Sequence, residues 1–323
     1  MEIRKILRRF REFGGWRLVR TYWRMGVLGP ALGELLRMPF RRGGRIRSYS
    51  QLLNHVTPHL KSQFYPLLCD LKAKYDAQPL DHRRSRRVWF CWLQGLDEAP
   101  ELVRACLHSQ RAILKDREIV VVTEANFPDY VTMPDSFLRL YREGKVPRAL
   151  FSDLLRLELL IKYGGTWMDA TVLCTSDNYP PQVFDCDLFM FQYYSRQRRQ
   201  ATGVSNWFIT ACTNNPLLLV LRDMLYAYWQ AYDCTVDYYI FHQFFAWIAR
   251  EYPAEIARMP RGSSLVAISL GQKMDSGEPY DEAWMQQLLS HCCFHKLSCR
   301  TGGRQLTAPR SYYSHIIKLA REL

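Results

Sequence analysis

The stretch Ser152–Thr171, SDLLRLELLIKYGGTWMDAT, decides how the rest of the chain is read. Its first twelve residues have the pattern of a helix, Gly164 and Gly165 end it, and the last six alternate as a strand. Leu154, Leu155, Leu157, Leu159, Leu160 and Ile161 cover much of the helix circumference, which predicts a buried helix. Its two charges, Asp153 and Arg156, stand three apart on one face, and buried charges need partners. On the strand, Asp169 and Thr171 face one side while Met168, Ala170 and Val172 face the other. A connection of two glycines therefore brings carboxylates, a hydroxyl and a guanidinium within reach of one another. A plain ion pair between Asp153 and Arg156 is the simpler alternative.

Upstream, VWFCWL (88–93) is a continuous apolar run of the kind found in a parallel strand buried on both faces. Gln94 and Gly95 follow, and Pro100 suits the first turn of a helix whose Leu102, Val103, Cys106 and Leu107 share a face. EIVVVT (118–123) reads as the next strand. Strand, helix, strand at this spacing predicts a right-handed crossover and an open, mainly parallel α/β sheet flanked by helices. Ligands of such sheets gather beyond the carboxyl ends of the strands, so the loop of Gln94 and Gly95 is a candidate nucleotide rim. A turn with no ligand would read the same.

With 48% hydrophobic and 14% aromatic residues, 323 residues suffice for a large core, and disorder is excluded as the general state. The net charge of +13 is local: residues 1–50 hold thirteen Lys/Arg against three Glu. Ile3, Ile6, Leu7 and Phe10 form an apolar helical stripe ringed by Arg4, Lys5, Arg8, Arg9 and Arg11, and Trp16, Val19 and Trp23 continue it beyond Gly14-Gly15. Residues 1–24 thus have the pattern of a helix lying on an anionic membrane surface, or of a basic face docked by its apolar side. No nucleic-acid module is present, so that partner is not expected.

RRGGRIR (41–47) reads as a linker and Tyr49–Tyr75 as helix, giving a basic helical appendage over 1–85 before a catalytic-sized domain over 86–323. There is no 18-residue apolar run, the basic start does not read as a signal peptide and none is expected, and the ten scattered cysteines include no C-x-x-C pair. Reduced thiols, a cytoplasmic location and peripheral attachment to the inner membrane face are the expectation.

F-S-D-L-L-R-L followed by Y-G-G-T-W-M-D-A-T resembles the signature of the capsular polysaccharide synthesis proteins, bacterial glycosyltransferases grouped with glycosyltransferase family 32 and, more distantly, with the clostridial glucosylating toxins. VWFCWLQGLDEAPELVRACLHS is similar to their opening strand and helix, SNWFITACTNNPLL (205–218) to their middle segment and FHKLSCR (294–300) to their closing strand. The resemblance spans about residues 86–300.

It implies a GT-A fold, a nucleotide-sugar donor, usually of uridine diphosphate, and retention of anomeric configuration. Asp153 would hold the ribose or sugar hydroxyls, and Arg156 would bind the sugar or the diphosphate. Trp92, Gln94 and Gly95 would frame the base, Gly165 would adjoin the donor, and Lys296 would approach the diphosphate. Asp169 is the first acid of the family's D-x-D element, with His295 as a second candidate ligand of Mg²⁺ or Mn²⁺. The second acid is Thr171 here, which puts the metal requirement in question. The expected acceptor is a capsular or lipid-linked saccharide, with Asn206 and Trp207 assigned to its side by segment position. A non-enzymatic module that tethers a capsule-assembly complex is the rival reading, and Thr171 is the feature that favours it. The literal D-x-D, Asp185-Cys186-Asp187, precedes an apolar strand and is expected at its amino end, away from the rim; His242 in DYYIFHQFFAW is expected to be a core histidine.

Overall fold

The helix, glycine pair and strand of the opening stretch are present as α7 (Arg148–Tyr163) and β3 (Gly165–Asp169) in the computed structural model, which describes residues 14–37, 44–195, 200–299 and 311–323. Both glycines take backbone angles that side chains rarely adopt, with φ 66° at Gly164 and 93° at Gly165. A Cβ at Gly165 would stand 2.4 Å from the carbonyl oxygen of Arg87. Glycine is therefore required both by conformation and by the approach of the neighbouring strand. The indole of Trp89 donates to the Gly164 carbonyl at 2.9 Å and fastens the turn to that strand.

Before this pair come α1 (Trp16–Arg24), α2 (Leu28–Arg37), α3 (Gly44–Asp76), β1 (Arg87–Cys91), α4 (Glu101–Ile113), β2 (Glu118–Val122), α5 (Phe127–Tyr130) and α6 (Asp135–Arg142). After it come β4 (Val172–Cys174), β5 (Leu188–Ser195), β6 (Gln200–Ala211), α8 (Pro216–Ala231), α9 (Ile240–Glu251), α10 (Pro253–Arg258), α11 (Ser264–Ser276), α12 (Glu282–Leu289), β7 (Phe294–Lys296) and α13 (Tyr312–Glu322).

The chain divides into two units, and they are interleaved in sequence. One holds Leu80–Val131, Arg156–Asn215 and Ala254–Leu323, and contains a five-stranded sheet of order β2-β1-β3-β6-β5. Strands β1, β2 and β3 are mutually parallel, β6 runs antiparallel to β3, and β5 antiparallel to β6. Four of five strands thus share a direction, the expected mainly parallel α/β sheet. Val88, Trp89 and Phe90 are wholly buried, as the apolar run requires. Helix α4 carries Gln110 and Ser109 inward, where they donate to the carbonyl of Val172 at 2.9 Å and accept from the amide of Cys174 at 3.0 Å. These two buried bonds position the short strand β4, which pairs with β7 in a second sheet.

The other unit holds Met1–Pro79, Thr132–Leu155 and Pro216–Pro253. Here α3 packs along α8 and α9: Phe64 lies 5.2 Å from the ring of Phe244 and 6.2 Å from that of Tyr228, while the Tyr75 hydroxyl bonds Asp223 at 2.5 Å. The described N-terminal helices therefore share a unit with two segments from beyond residue 85. Chain order placed the boundary after residue 85, but the aromatic faces of α8 and α9 are buried only when α3 covers them. The expected linker also differs, because residues 44–47 open α3. Residues 1–13, with the stripe of Ile3, Ile6, Leu7 and Phe10, lie outside the described residues. Among the described residues no helix is long and apolar enough to cross a membrane.

Candidate functional site

The carboxyl ends of β1 and β3 lie side by side, with Cys91 in register with Asp169. Asp169 is the last residue of β3, and its side chain is about a quarter exposed, so it ends the buried strand at a surface. Two cations approach its two oxygens. The Arg156 guanidinium on α7 stands 3.7 Å from Oδ1, and the Lys296 ammonium, the last residue of β7, stands 3.6 Å from Oδ2. A third contact fixes the carboxylate, since the Trp167 indole two residues earlier on the same strand face donates to Oδ1 at 2.9 Å.

Both cations are themselves held. Arg156 is almost wholly buried; its guanidinium lies 4.9 Å from the centre of the Trp167 ring and donates to the carbonyl of Asn206. Lys296 donates to the Thr171 hydroxyl at 2.7 Å and to the Leu297 carbonyl at 2.9 Å. Helix α11 comes close enough to fix that strand only because residue 271 is glycine: a Cβ there would stand 2.5 Å from the Lys296 carbonyl oxygen. Burial pushes the carboxyl of Asp275, on the same helix, upward, and Lys296 opposes the shift.

The structure thus brings together Arg156, Asp169, Thr171 and Lys296. Asp153 is buried one turn earlier on α7, and the boundary between the units falls between it and Arg156. Trp92, Gln94 and Gly95 follow β1 at the same edge of the sheet as Asp169. The Trp92 residue is half-buried but its indole N–H is buried, with no hydrogen-bond partner among the described residues; Gln94 is exposed, and Gly95 has φ 87° in a turn closed by its amide on the Trp92 carbonyl at 3.0 Å.

Two expected site residues are placed elsewhere. Gly165 starts β3 at the amino end, four residues and roughly 13 Å of extended chain from Asp169, so its role is the close passage of Arg87. His295 precedes Lys296 on β7, and successive strand residues point to opposite faces. Its ring is wholly buried with Nε2 3.1 Å from the Thr175 hydroxyl, and burial pulls its pKa down to about 4, which keeps it neutral.

The described side chains alone therefore do not complete a divalent-ion site, and oxygens of a bound diphosphate and water would have to supply the rest. Hard cations take about six or more oxygen ligands. Among the described residues no three His, Cys, Asp or Glu side chains converge for a metal, and Asp169 already faces two positive charges. Neither does the register partner Cys91 supply a nucleophile: burial pushes its thiol up to about 12 and leaves it protonated.

Sequence reasoning missed Trp167 and Gly271. Trp167 had a readable signal, because strand alternation places it on the same side as Asp169. Gly271 had none, since its partner is 25 positions away in the chain. Of the remaining residues, Asp187 lies at the amino end of β5 and pairs with Arg84 at 3.0 Å, while Asp185 is 3.8 Å from Arg117. His242 is half-buried on α9, with Tyr239 and Phe241 rings 5.7 and 5.6 Å away. Trp207 is buried and stacks on Phe191 at 4.6 Å. These serve packing or surface pairing.

Ligands of open α/β sheets gather at the carboxyl edge of the parallel strands, and the fixed polar groups Asp169, Arg156 and Lys296 lie at that edge here. The chain belongs to the capsular polysaccharide synthesis protein family, whose sequence profile matches residues 40–316. Among solved structures it is similar to one described as PaToxG glycosyltransferase, with 13% identity over 81% of this chain and 95% of that one and a TM-score of 0.39. No curated protein matches the sequence.

Proposed function

We propose that the chain is a glycosyltransferase of the GT-A type. It moves a sugar from a nucleotide-sugar donor, a uridine diphosphate sugar, with retention, to a capsular or lipid-linked saccharide at the cytoplasmic side of an anionic membrane. The observation that supports this reading is the Asp169 carboxylate set between Arg156 and Lys296 at the carboxyl edge of the sheet.

Breaking the bond from the anomeric carbon to the diphosphate sends the electron pair to a phosphate oxygen and leaves oxocarbenium character on the sugar. Positive charge that is already in place stabilises the leaving group without reorganisation during the reaction. Lys296 and Arg156 supply that charge. The carboxylate holds both cations when no donor is bound, and its own negative charge faces the sugar carbon as that carbon turns positive. Trp92 frames the base with its ring, and the acceptor hydroxyl joins the anomeric carbon on the face the diphosphate leaves, giving its proton to the departing phosphate oxygen.

The test is a calorimetric titration with uridine diphosphate beside an assay of donor hydrolysis. Wild type is expected to bind and to hydrolyse, and Asp169→Ala to lose both transfer and hydrolysis. Full activity in that variant would remove Asp169 from the mechanism. Absence of nucleotide binding by wild type would reject the enzymatic reading in favour of a tethering module.

A further inference from the structure

A second cluster of positive charge lies in the other unit. Helix α1, the segment 134–145 around α6, and the end of α8 with the residues after it enclose a cleft of about 690 Å³. That volume is within the ~300–1,000 Å³ of small-ligand clefts. Three arginines of α1 line it, Arg17, Arg20 and Arg24, at the i, i+3, i+7 spacing of one helix face. Arg139 and Lys145 line it from the 134–145 segment.

Two acids lie in the same wall, and both are engaged. Glu143 is 2.6 Å from Lys145, whose ammonium holds its carboxyl below the usual range, and Asp233 is 3.9 Å from Arg17. Arg20, Arg24 and Arg139 have no ion pair among the described residues, so the cleft keeps an excess of positive charge. Each of the three is exposed and needs no burial cost repaid by a partner.

The adjoining face of α1 carries exposed aromatic side chains. Trp16 and Trp23, seven residues apart, are 80% and 71% exposed, while Tyr22 on the opposite side is buried. Tryptophan beside arginine on a half-docked helix is the chemistry of a lipid–water interface, where the indole sits at headgroup level and the guanidinium meets phosphate.

We propose that this cleft holds the phosphate of an anionic lipid headgroup, with Trp16 and Trp23 set into the interface beside it. The inference rests on the membrane attachment proposed above and narrows its specific contact from residues 1–24 at large to the cleft that α1 shares with α6. Charge complementarity selects the occupant, and the two exposed indoles select a lipid over a soluble phosphate.

The full chain is sedimented with vesicles of phosphatidylcholine, with and without phosphatidylglycerol. Wild type is expected to bind only the anionic vesicles. Arg20→Gln and Arg139→Gln should each weaken that binding about fivefold, as loss of one well-placed charge does near an anionic surface. Trp16→Ala with Trp23→Ala should weaken it further. Arg139 is decisive because it stands on a helix outside the N-terminal segment. All these residues are exposed, and unchanged circular dichroism and uridine diphosphate binding verify that each variant is folded.

Undiminished binding in both arginine variants, with binding lost on deleting residues 1–13, would overturn the cleft and leave membrane attachment standing. No binding by wild type would overturn both. If soluble glycerol phosphate displaced the vesicles and bound equally well after loss of both tryptophans, the occupant would be a free phosphate compound and the lipid assignment would fall.

Discussion

Both units carry clusters of cations, and the clusters are built in opposite ways. Around Asp169 the positive charges are few, largely buried and tied to named acceptors: Arg156 to the Asn206 carbonyl, Lys296 to Thr171 and the Leu297 carbonyl. Around the cleft of α1 and α6 they are in excess over the carboxylates, and three of them, Arg20, Arg24 and Arg139, are exposed. Charge that must stabilise a transition state has to be fixed before the reaction, because reorienting dipoles during it would cost part of the gain. Charge that must find a surface works better in excess and in water, where it steers encounter and is screened by salt. The same residue types thus serve different tasks according to what already holds them.

Removing one cation from each cluster is the strongest way to break the comparison. Lys296→Ala should lower donor turnover by about 10² to 10³-fold, the usual effect of deleting one fixed charge opposite a leaving group. Arg24→Ala in the cleft should leave turnover of a soluble donor unchanged. If both variants lost activity alike, or neither did, the distinction between fixed and solvated charge would fail. Chelation sharpens the same point: with no metal-binding cluster in the described side chains, uridine diphosphate should still bind wild type in EDTA and should lose binding in Lys296→Ala.

His295 tests whether the parity of β7 is correct. Its folded pKa, near 4, lies below the unfolded value of about 6.5. Between those values the unfolded chain binds a proton that the native chain does not. Native stability contributed by the neutral ring is therefore complete above about pH 6.5, falls as the pH drops, and is exhausted near pH 4, a total of about 3 kcal/mol. His295→Gln should flatten that part of the unfolding profile relative to wild type, as read by urea titrations across this range. An unchanged slope would mean that the ring is hydrated in solution, which would reopen its access to Asp169.

Much of the sheet was legible because its signals are local. The apolar run before Gln94 is buried as β1, the glycine pair ends α7, and alternation along β3 put Asp169 on the face opposite the buried Met168. The division of the chain was not legible, since α3 finds α8 and α9 across a long stretch of intervening chain, Tyr75 reaching Asp223, and nothing in a single segment encodes that partner. The site was read in part for the same reason. A closing strand carrying His295 and Lys296 was found, but which of the two reaches Asp169 depends on the register of β7 with β4, fixed by Leu173 opposite His295 and Val172 opposite Lys296. A register slip by one would exchange them. The literal D-x-D lay at the wrong end of its strand, and strand direction alone could show that.

The smallest effect belongs to that decoy. Asp187 and Arg84 form a bidentate contact, with Oδ1 accepting from Nε at 3.3 Å and from Nη2 at 3.0 Å, but both side chains are more than half exposed. Exposed pairs contribute about 0–1 kcal/mol because water and side-chain entropy offset the attraction. Asp187→Asn should therefore shift the unfolding free energy by less than about 1 kcal/mol and leave donor turnover as it is. A large loss of turnover in this variant, with stability intact, would place the D-x-D acid in the chemistry and would displace Asp169 from it. The two aspartates differ in their settings: one ends a strand with buried Arg156 and Trp167 against its carboxylate, and the other precedes a strand with its carboxylate on the solvated Arg84.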